Sequence, residues 1–413
     1  MTDVARDAVS AGFLPYGRQS IDEDDIAAVA AVLRGDWLTQ GPAVEAFENA
    51  LAARTGAAHA VACANGTAAL HLACLALGLG PGDAVVVPSI TFLATANAAR
   101  YVGAEVAFAD VDPDTGLMRP ADAAAAVVRA EAAGWRVRAL APVHFAGQTA
   151  DMAGLADIAA SRGLALIEDA CHAVGTRTQG TDGGWTEVGA CRHGGLAAFS
   201  FHPVKTIAAG EGGAVTTDDA ALAERLRRFR NHGMVREADR FTDPDLGFEP
   251  DGTAQPWVYE MPEPGFNYRL TDIHSALALS QLGKLDRFAA RRSQLMDLYA
   301  HRLEALAPLV RPLARVDGCR PAWHLCVALA DFAAAGRSRG AVMADLRARG
   351  IGTQVHYVPV HRQPYYRDRY GALDLPGAEA YYARALTLPL FPAMADGDVG
   401  RVVDALAETL GIA

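Results

Sequence analysis

The sequence has 413 residues, of which 51% are hydrophobic and 21% charged, values typical of a globular chain with a large core rather than of a disordered one. The net charge is −11 and no segment is rich in Lys and Arg, which argues against a surface for nucleic acid or anionic membrane. The acidic N-terminus lacks an apolar signal core, and no stretch has the length and apolarity of a membrane span. We therefore expect a cytoplasmic protein.

Taken in chain order, apolar runs of strand length alternate with Ala- and Leu-rich amphipathic stretches over most of the first three quarters of the chain. The pattern predicts strands over 59–63, 84–87, 105–109, 137–143, 164–168, 197–201 and 213–217. It predicts helices over 21–33, 44–55, 67–77, 121–133, 152–161 and 220–231. Strands that alternate with helices form a mostly parallel sheet covered on both faces, and ligands bind beyond the carboxyl ends of its strands.

Residues 236–264 interrupt this alternation. They are rich in Asp, Glu, Pro and Gly and predict a long loop. Two further helices are predicted after the loop, over 271–285 and 288–306.

The last quarter of the chain predicts a separate, smaller unit. It contains a predicted strand over 324–329, a helix over 339–349 and a further strand over 352–356. We therefore predict a large domain over 1–308 and a small C-terminal domain over 309–413.

The six cysteines show no C-x-x-C pair and no regular spacing. Cys191 lies near His193 and Cys171 lies next to His172, but no second pair with zinc-type spacing accompanies them. Buried free thiols are the favoured interpretation, and we predict no metal site.

Three polar segments follow predicted strands of the sheet. In Ala-Asn-Gly-Thr at 64–67, Gly66 would let a ligand approach the backbone, and the Thr67 hydroxyl with nearby N–H groups suits an anion. Asp169 comes directly after a buried strand, where a carboxylate would bind a protonated ring nitrogen. Ser200 ends a strand, and Lys205 lies in a non-helical stretch beside a Gly-rich turn, placed for imine chemistry with a carbonyl.

Each segment taken alone also has an ordinary structural explanation. The turn at 64–67 would serve as a helix cap, Asp169 would cap the turn that follows it, and Lys205 would be a solvated loop lysine. Their shared order is more informative, because an anion-binding turn, an acid, a hydroxyl and a lysine all follow strands of one sheet. This set is what a pyridoxal-phosphate site requires.

The sequence resembles the DegT/DnrJ/EryC1/StrS family of sugar aminotransferases over nearly the whole chain. The segments that carry the resemblance are Pro-Tyr-Gly-Arg-Gln-Ser at 15–20, Trp-Leu-Thr-Gln-Gly-Pro at 37–42, Thr-Phe-Leu-Ala-Thr-Ala-Asn at 91–97, Ser-Phe-His-Pro-Val-Lys-Thr at 200–206, Gly-Phe-Asn-Tyr-Arg-Leu at 265–270 and Gln-Val-His-Tyr-Val-Pro-Val at 354–360. The resemblance implies an α/β pyridoxal-phosphate-dependent transferase of fold type I, similar to aspartate aminotransferase. Such a protein has a large domain around a mostly parallel central sheet and a small C-terminal α+β domain.

The resemblance also implies roles for individual residues. Lys205 would bind pyridoxal 5'-phosphate covalently and move the proton during transamination, and Asp169 would pair with the pyridine nitrogen. His172 would lie beside the phenolic oxygen, where most of the wider family has Gln, and Phe92 would stack on the ring. The residues implied to hold the phosphate are Gly66, Thr67, Ser200 and Asn267 of the partner subunit.

The substrate pocket is implied by the same resemblance. The residues implied to line it are Tyr16 from the N-terminal segment, Asp36, Trp37, Leu38, Thr39, Gly66, Ser200, Asn267, Gln354, Val355, His356 and Tyr357. The family pattern departs at Asp36 and Trp37, so individual contacts there stay open.

Within the family, the sequence is most similar to UDP-4-amino-4,6-dideoxy-N-acetyl-β-L-altrosamine transaminases, the aminating enzymes of pseudaminic acid biosynthesis. This similarity implies transfer of an amino group from L-glutamate to C4 of a UDP-linked 4-keto-6-deoxy-N-acetylhexosamine. Lys205 would act as general base and acid, while Asp169 keeps the ring nitrogen protonated. We expect a homodimer with shared active sites, and neither nucleic acid nor membrane as a partner.

Several alternatives stay open to different degrees. The nearest is an aminotransferase of the same family that acts on another nucleotide-linked keto-sugar. The related sugar dehydratases have His in place of the lysine, so Lys205 argues against that branch. A non-catalytic regulator that binds pyridoxal phosphate lacks support, because no DNA-binding segment is appended. An oxidoreductase is disfavoured because Gly-Leu-Gly-Pro-Gly-Asp at 78–83 follows a helix and precedes a strand, the reverse of a dinucleotide-binding turn.

Overall fold

The computed structural model describes residues 12–180 and 183–412; residues 1–11, on which the expectation about a signal segment rests, lie outside them. The helices are α1 Glu23–Arg34, α2 Pro42–Thr55, α3 Gly66–Ala76, α4 Leu93–Tyr101, α5 Pro120–Ala132, α6 Met152–Arg162, α7 Ala220–Arg230, α8 Pro244–Gly247, α9 Asp272–Leu282, α10 Leu285–Leu303, α11 Arg339–Ala348, α12 Pro364–Tyr370, α13 Pro376–Arg384 and α14 Asp396–Leu410. The strands are β1 His59–Cys63, β2 Asp83–Pro88, β3 Glu105–Ala109, β4 Arg136–Leu140, β5 Ala165–Asp169, β6 Arg177–Gln179, β7 Trp185–Glu187, β8 Leu196–Ser200, β9 Gly213–Thr217, β10 Val310–Pro312, β11 Cys319–Arg320, β12 Cys326–Ala330 and β13 Ala385–Leu388. None of these helices is both long and apolar enough to cross a membrane.

Seven strands form the central sheet, in the order β1-β9-β8-β5-β4-β2-β3. Strand β9 is antiparallel to both of its neighbours, and every adjacent pair from β8 to β3 is parallel. Because β1 and β8 both oppose β9, six strands run in one direction and their carboxyl ends share one edge. Cys63, Asp169 and Ser200 end three of these strands at that edge. The predicted mostly parallel central sheet is confirmed.

Helices cover both faces of this sheet. Successive side chains of a strand point to opposite faces, and β1 and β8 follow this rule. Val61 and Ala198 pack into one core with helices α3 to α7, whereas Ala62 and Phe199 pack into a second core with α2, α9 and the start of α10. The sheet is therefore buried on both sides, and its carboxyl edge is left as the place where a ligand can reach the backbone.

A third core lies in the C-terminal part of the chain, around the small sheet β10-β12-β13 and helices α10, α11 and α14. Its central strand β12 is shared between two cores. Val327 and Leu329 point into the core of the large sheet, while Cys326 and Ala328 point into the C-terminal core. The division of the chain after residue 308 stays a prediction, and the two parts are joined through both faces of β12.

Most predicted elements are present with ends shifted by a few residues, and β1, β3 and β9 match their predicted ranges. The sequence pattern missed α4, a short helix of nine residues, Leu-Ala-Thr-Ala-Asn-Ala-Ala-Arg-Tyr. The loop predicted over 236–264 is confirmed as the connection between α7 and α9, and it contains one 3₁₀ turn and the short helix α8.

The strand predicted over 352–356 is wrong. Only Gln354 pairs there, with Thr387 of β13, in an isolated bridge. The carbonyl of His356 accepts a hydrogen bond from the Tyr381 hydroxyl (2.7 Å), and the His356 ring bonds to the Thr387 hydroxyl (2.8 Å). These side-chain contacts take the backbone out of the sheet and turn the next residue, Tyr357, toward the carboxyl edge of the large sheet.

Candidate active site

Asp169 ends β5 in the middle of the central sheet and is 5% exposed. The Thr95 hydroxyl of α4 donates to its Oδ2 (2.6 Å), and the backbone N–H of Cys171 donates to its Oδ1 (3.1 Å). The carboxylate lines a cavity at the carboxyl edge of the sheet. Both of its contacts are donated to it, so it offers its remaining lone pairs to a donor in the cavity.

The start of α3 forms a second wall of the same cavity. Asn65 caps the helix by accepting the N–H of Ala68 (2.8 Å), while the N–H groups of Gly66 and Thr67, the first two of the helix, have no partner within it. A Cβ on Gly66 would lie 2.7 Å from the Cβ of Ser200, so only glycine lets α3 and the end of β8 approach this closely. The hydroxyls of Thr67 and Ser200 both line the cavity and donate to no residue of the described ranges. This arrangement of amides and hydroxyls suits a phosphate.

Lys205 is one of only two lysines in the sequence. The other, Lys284, is ion-paired with Asp22 and with Asp25 (2.8 Å) at the base of α1. The Lys205 ammonium lines the cavity and has no hydrogen-bond or ion-pair partner within 12–180 and 183–412. Burial lowers the pKa of Lys205, against the opposing effect of Cys171 and Asp169. A lysine that is desolvated and without a partner is suited to react with a carbonyl.

His172 faces the cavity as a neutral ring. The backbone N–H of Ala146 donates to its Nδ1 (3.4 Å), so the ring proton is on Nε2, which donates to the Tyr357 hydroxyl (3.1 Å). Burial lowers the pKa of His172 well below its usual value, and the charge of Lys205 acts in the same direction. His172 is therefore a hydrogen-bond donor at neutral pH and not a cation.

The C-terminal part of the chain supplies a further histidine that the sequence patterns did not single out. His324 lines the cavity, with its ring centroid 4.4 Å from that of His172. Its backbone N–H donates to the carbonyl of Ala146 (3.0 Å) and its Nδ1 is buried without a hydrogen-bond partner among the described residues. Burial lowers the pKa of His324 well below its usual value. Sequence reasoning looked for site residues directly after strands of the central sheet. His324 lies before β12, a strand of the small sheet, so its position did not mark it as a site residue.

The cavity has a volume of about 640 Å³. Most of the residues predicted for the site line it together. They are Tyr16, Gly66, Thr67, Phe92, Asp169, His172, Ser200, Lys205, Gln354, Val355, His356 and Tyr357. Phe92 is a largely exposed ring at the mouth, 6.1 Å from the ring of Tyr357.

Five predicted residues do not line the cavity of their own chain. They are Asp36, Trp37, Leu38, Thr39 and Asn267, all exposed on the surface. The two segments that hold them flank the start of α9, where the N–H of Asp272 donates to the Leu38 carbonyl (3.1 Å) and Thr39 pairs with Thr271. Within one chain, these residues and the cavity are separate surfaces.

Residues 19–407 match the DegT/DnrJ/EryC1/StrS aminotransferase family. The chain belongs to this family. Among solved structures of similar fold, Helicobacter pylori PseC, an aminotransferase involved in the biosynthesis of pseudoaminic acid, is 27% identical, with 97% of this chain and 99% of that chain covered and a TM-score of 0.83. S. venezuelae DesV, solved in complex with a ketimine intermediate, is 33% identical, with the same coverage and a TM-score of 0.80. DesI, solved with its TDP-sugar product, is 32% identical, with 98% and 95% covered and a TM-score of 0.81.

This DegT-family protein is accordingly a sugar aminotransferase of fold type I that uses pyridoxal phosphate. The residues of the cavity fit that cofactor by the chemistry of their donors. Hydroxyls and helix amides without partners match a phosphate, the Asp169 carboxylate matches a ring N–H, and the unpaired Lys205 ammonium matches an aldehyde. Each group that the cofactor requires is present at one edge of one sheet.

Proposed function

We propose that the enzyme transfers an amino group from L-glutamate to C4 of UDP-2-acetamido-2,6-dideoxy-β-L-arabino-hexos-4-ulose, a step of pseudaminic acid biosynthesis. The observation that carries the aminotransferase chemistry is the unpaired Lys205 in the cavity that also holds Asp169. The choice of sugar is supported by the similarity to the Helicobacter pylori enzyme. An enzyme is favoured over a non-catalytic regulator that binds pyridoxal phosphate, because the matching family and the similar solved structures are aminotransferases.

A second candidate substrate is another nucleotide-linked keto-sugar. The observation that favours it is the 32% identity to DesI, solved with a TDP-sugar product, which exceeds the 27% identity to the pseudoaminic acid enzyme.

The residues have distinct roles in this reaction. Pyridoxal phosphate supplies an electron sink and carries the amino group between the two substrates. The start of α3 with Thr67 and Ser200 would bind the phosphate, and Asp169 would hold a proton on the ring nitrogen through a charge-assisted hydrogen bond. Lys205 would take a proton from the α-carbon of the donor and, in the second half-reaction, deliver a proton to C4 of the sugar, and the burial that lowers its pKa favours the free amine that this role requires.

The neutral histidines would shape the pocket without adding positive charge. The pKa of His356 is lowered to about 3, mainly by burial and further by Lys205. Together with His172 and His324 it forms a wall of uncharged donors and acceptors. Such a wall suits the hydroxyl, carbonyl and amide groups of a sugar, and it leaves Lys205 as the one cationic side chain among the residues described as lining the cavity.

The substrate assignment is tested by identifying the product. The enzyme would be incubated with L-glutamate and, separately, the proposed UDP-linked 4-keto sugar, its C5 epimer and a TDP-linked 4-keto-6-deoxy sugar. We expect an amine at C4, seen by NMR, and stoichiometric 2-oxoglutarate with the first compound at the highest kcat/KM. Preference for the TDP sugar would establish the second candidate, and absence of an aminated product with the first compound would refute the first.

We further propose that the active sites are shared across a homodimer. Asn267 and the segment 36–39 lie outside the cavity of their own chain and are exposed, and Trp37 is 60% exposed. A large apolar side chain so exposed suits an interface between subunits. In a two-fold dimer each such residue would complete the site of the other chain.

Complementation between two inactive variants tests this arrangement. In a mixed dimer of Lys205→Ala and Asn267→Ala chains, one site has both native residues and the other has both substitutions. Random reassociation of equal amounts gives half mixed dimers, so co-refolding should restore about a quarter of wild-type activity. The measurement compares the co-refolded mixture with each variant refolded alone. Activity no higher than the mean of the two parents would mean that Asn267 acts within its own chain or not at all.

A further inference from the structure

Two buried threonines form a chain of hydrogen bonds that ends at Asp169. The hydroxyl of Thr95 on α4 donates to Asp169 Oδ2 at 2.6 Å, and the hydroxyl of Thr91 lies 2.7 Å from that of Thr95. Thr91 is 1% and Thr95 3% exposed. Thr91 lines the cavity, whereas Thr95 does not, so Thr95 reaches the site only through the carboxylate.

The number of available protons determines which hydroxyl of this pair donates and which accepts. A hydroxyl has a single proton to donate. Thr95 donates its proton to Asp169, because a carboxylate oxygen can only accept. Thr91 must then donate its own proton to Thr95, because the two oxygens are within hydrogen-bond distance and Thr95 has none left to give. The competing acceptor for Thr95 is the carbonyl of Phe92 at 3.3 Å, a longer contact. The donation from Thr91 polarises the Thr95 hydroxyl and favours the shorter bond.

We propose that Thr95 is a positioning residue, and that the Thr91–Thr95 hydroxyl pair holds Asp169 in the orientation and charge state in which it binds the ring nitrogen. With Oδ2 held by Thr95 and Oδ1 by the N–H of Cys171, the carboxylate is fixed at both oxygens. Its remaining lone pairs point to the cavity. This inference rests on the proposed role of Asp169.

The first test uses Thr95→Val, which keeps the shape of the side chain and removes the donor. A hydrogen bond to a charged group is commonly worth about ten- to a hundredfold in an equilibrium or a rate, so kcat for the L-glutamate half-reaction should fall at least about tenfold. KM for L-glutamate should stay unchanged, because Thr95 does not touch the cavity. Thr95→Ser retains the hydroxyl and should restore most of the rate.

The second readout is independent of turnover. The holoenzyme would be loaded with pyridoxal phosphate labelled with ¹⁵N in the ring, and the nitrogen shift measured by NMR. Without its donor, the carboxylate is a stronger base and draws the ring proton toward itself, so Thr95→Val should move the shift toward that of an unprotonated ring. Thr91→Val should move it the same way by a smaller amount, and this variant decides the matter if Thr95→Val does not bind the cofactor. The control is Thr409→Val, since the Thr409 hydroxyl is buried on α14 without a partner among the described residues.

The outcomes separate this inference from the proposed function. Wild-type shifts and rates in both Thr95→Val and Thr91→Val would overturn it. A loss that Thr95→Ser does not restore would also overturn it, because packing and not the hydroxyl would then be responsible. Failure of the enzyme to aminate UDP sugars would refute the proposed substrate alone, since the half-reaction and the ring nitrogen are measured without any sugar.

Discussion

Lys205→Ala is expected to abolish multiple turnover while leaving the fold intact. The general base of a proton transfer contributes roughly 10²- to 10⁴-fold, and loss of covalent attachment of the cofactor adds to this. The variant should also lose the visible absorbance that the wild-type protein shows with pyridoxal phosphate. The measurements are steady-state kinetics, absorbance spectra and the thermal midpoint of unfolding.

The small number of lysines gives this experiment a matched control. Lys284→Ala removes the only other lysine, which is committed to Asp22 and Asp25, and should keep the absorbance and the activity. Reductive trapping of the wild-type holoenzyme followed by peptide mass mapping should place the adduct on Lys205. Retention of repeated turnovers by Lys205→Ala, or an adduct on Lys284, would refute the assignment.

Asp169→Asn should give a folded protein that binds the cofactor and has lost most of its turnover. The amide retains an oxygen that can accept from Thr95, but it has no negative charge to hold a proton on the ring nitrogen. Such a charge-assisted contact is worth roughly 1.5–3 kcal/mol, which corresponds to about a ten- to a hundredfold fall in kcat. Rates would be measured for each half-reaction.

The control for this substitution is Asp83→Asn. Asp83 is a buried carboxylate at the start of β2, so it lies at the opposite edge of the sheet, where it is ion-paired with Arg136. This change should leave kcat unaltered, even if it lowers stability. A near-normal kcat in Asp169→Asn would show that Asp169 serves only the turn after β5.

Sequence patterns located the strands of the central sheet and the polar residues at their ends because both depend on local order along the chain. Asp169 and Ser200 could be placed at one edge from their positions after strands, and the structure has them there. The sequence pattern did not single out α4, and therefore not Thr95, because the helix is short and four of its nine residues are Ala. The resemblance to the family contributed Tyr16 and the segment 354–357, which no periodicity connects with the sheet.

Local sequence patterns could not predict contacts between segments that are far apart along the chain. His324 enters the cavity because the turn at Ala146 accepts its backbone N–H, and Ala146 does so in a left-handed conformation (φ 59°) that non-glycine residues seldom adopt. The failure of the predicted strand over 352–356 has the same origin, since the Tyr381 hydroxyl replaces a strand partner. Both depend on hydrogen-bond partners more than 20 residues away along the chain.

Strand β12 contributes side chains to two cores, and this restricts the route by which substrates enter and products leave. A hinge motion that swung the C-terminal part away would expose Val327 and Leu329, together with Leu325 just before the strand, and each buried side chain of this kind is worth about 1.5–3 kcal/mol. Three of them make such an open state about 5 kcal/mol or more uphill, a population below roughly one molecule in a thousand. L-Glutamate and the sugar nucleotide would therefore enter and leave through the existing opening of the cavity beside Phe92. Substitutions of Phe92 at this mouth should then change the residence time of a bound ligand. Changes that stiffen or loosen the C-terminal part should leave it unchanged.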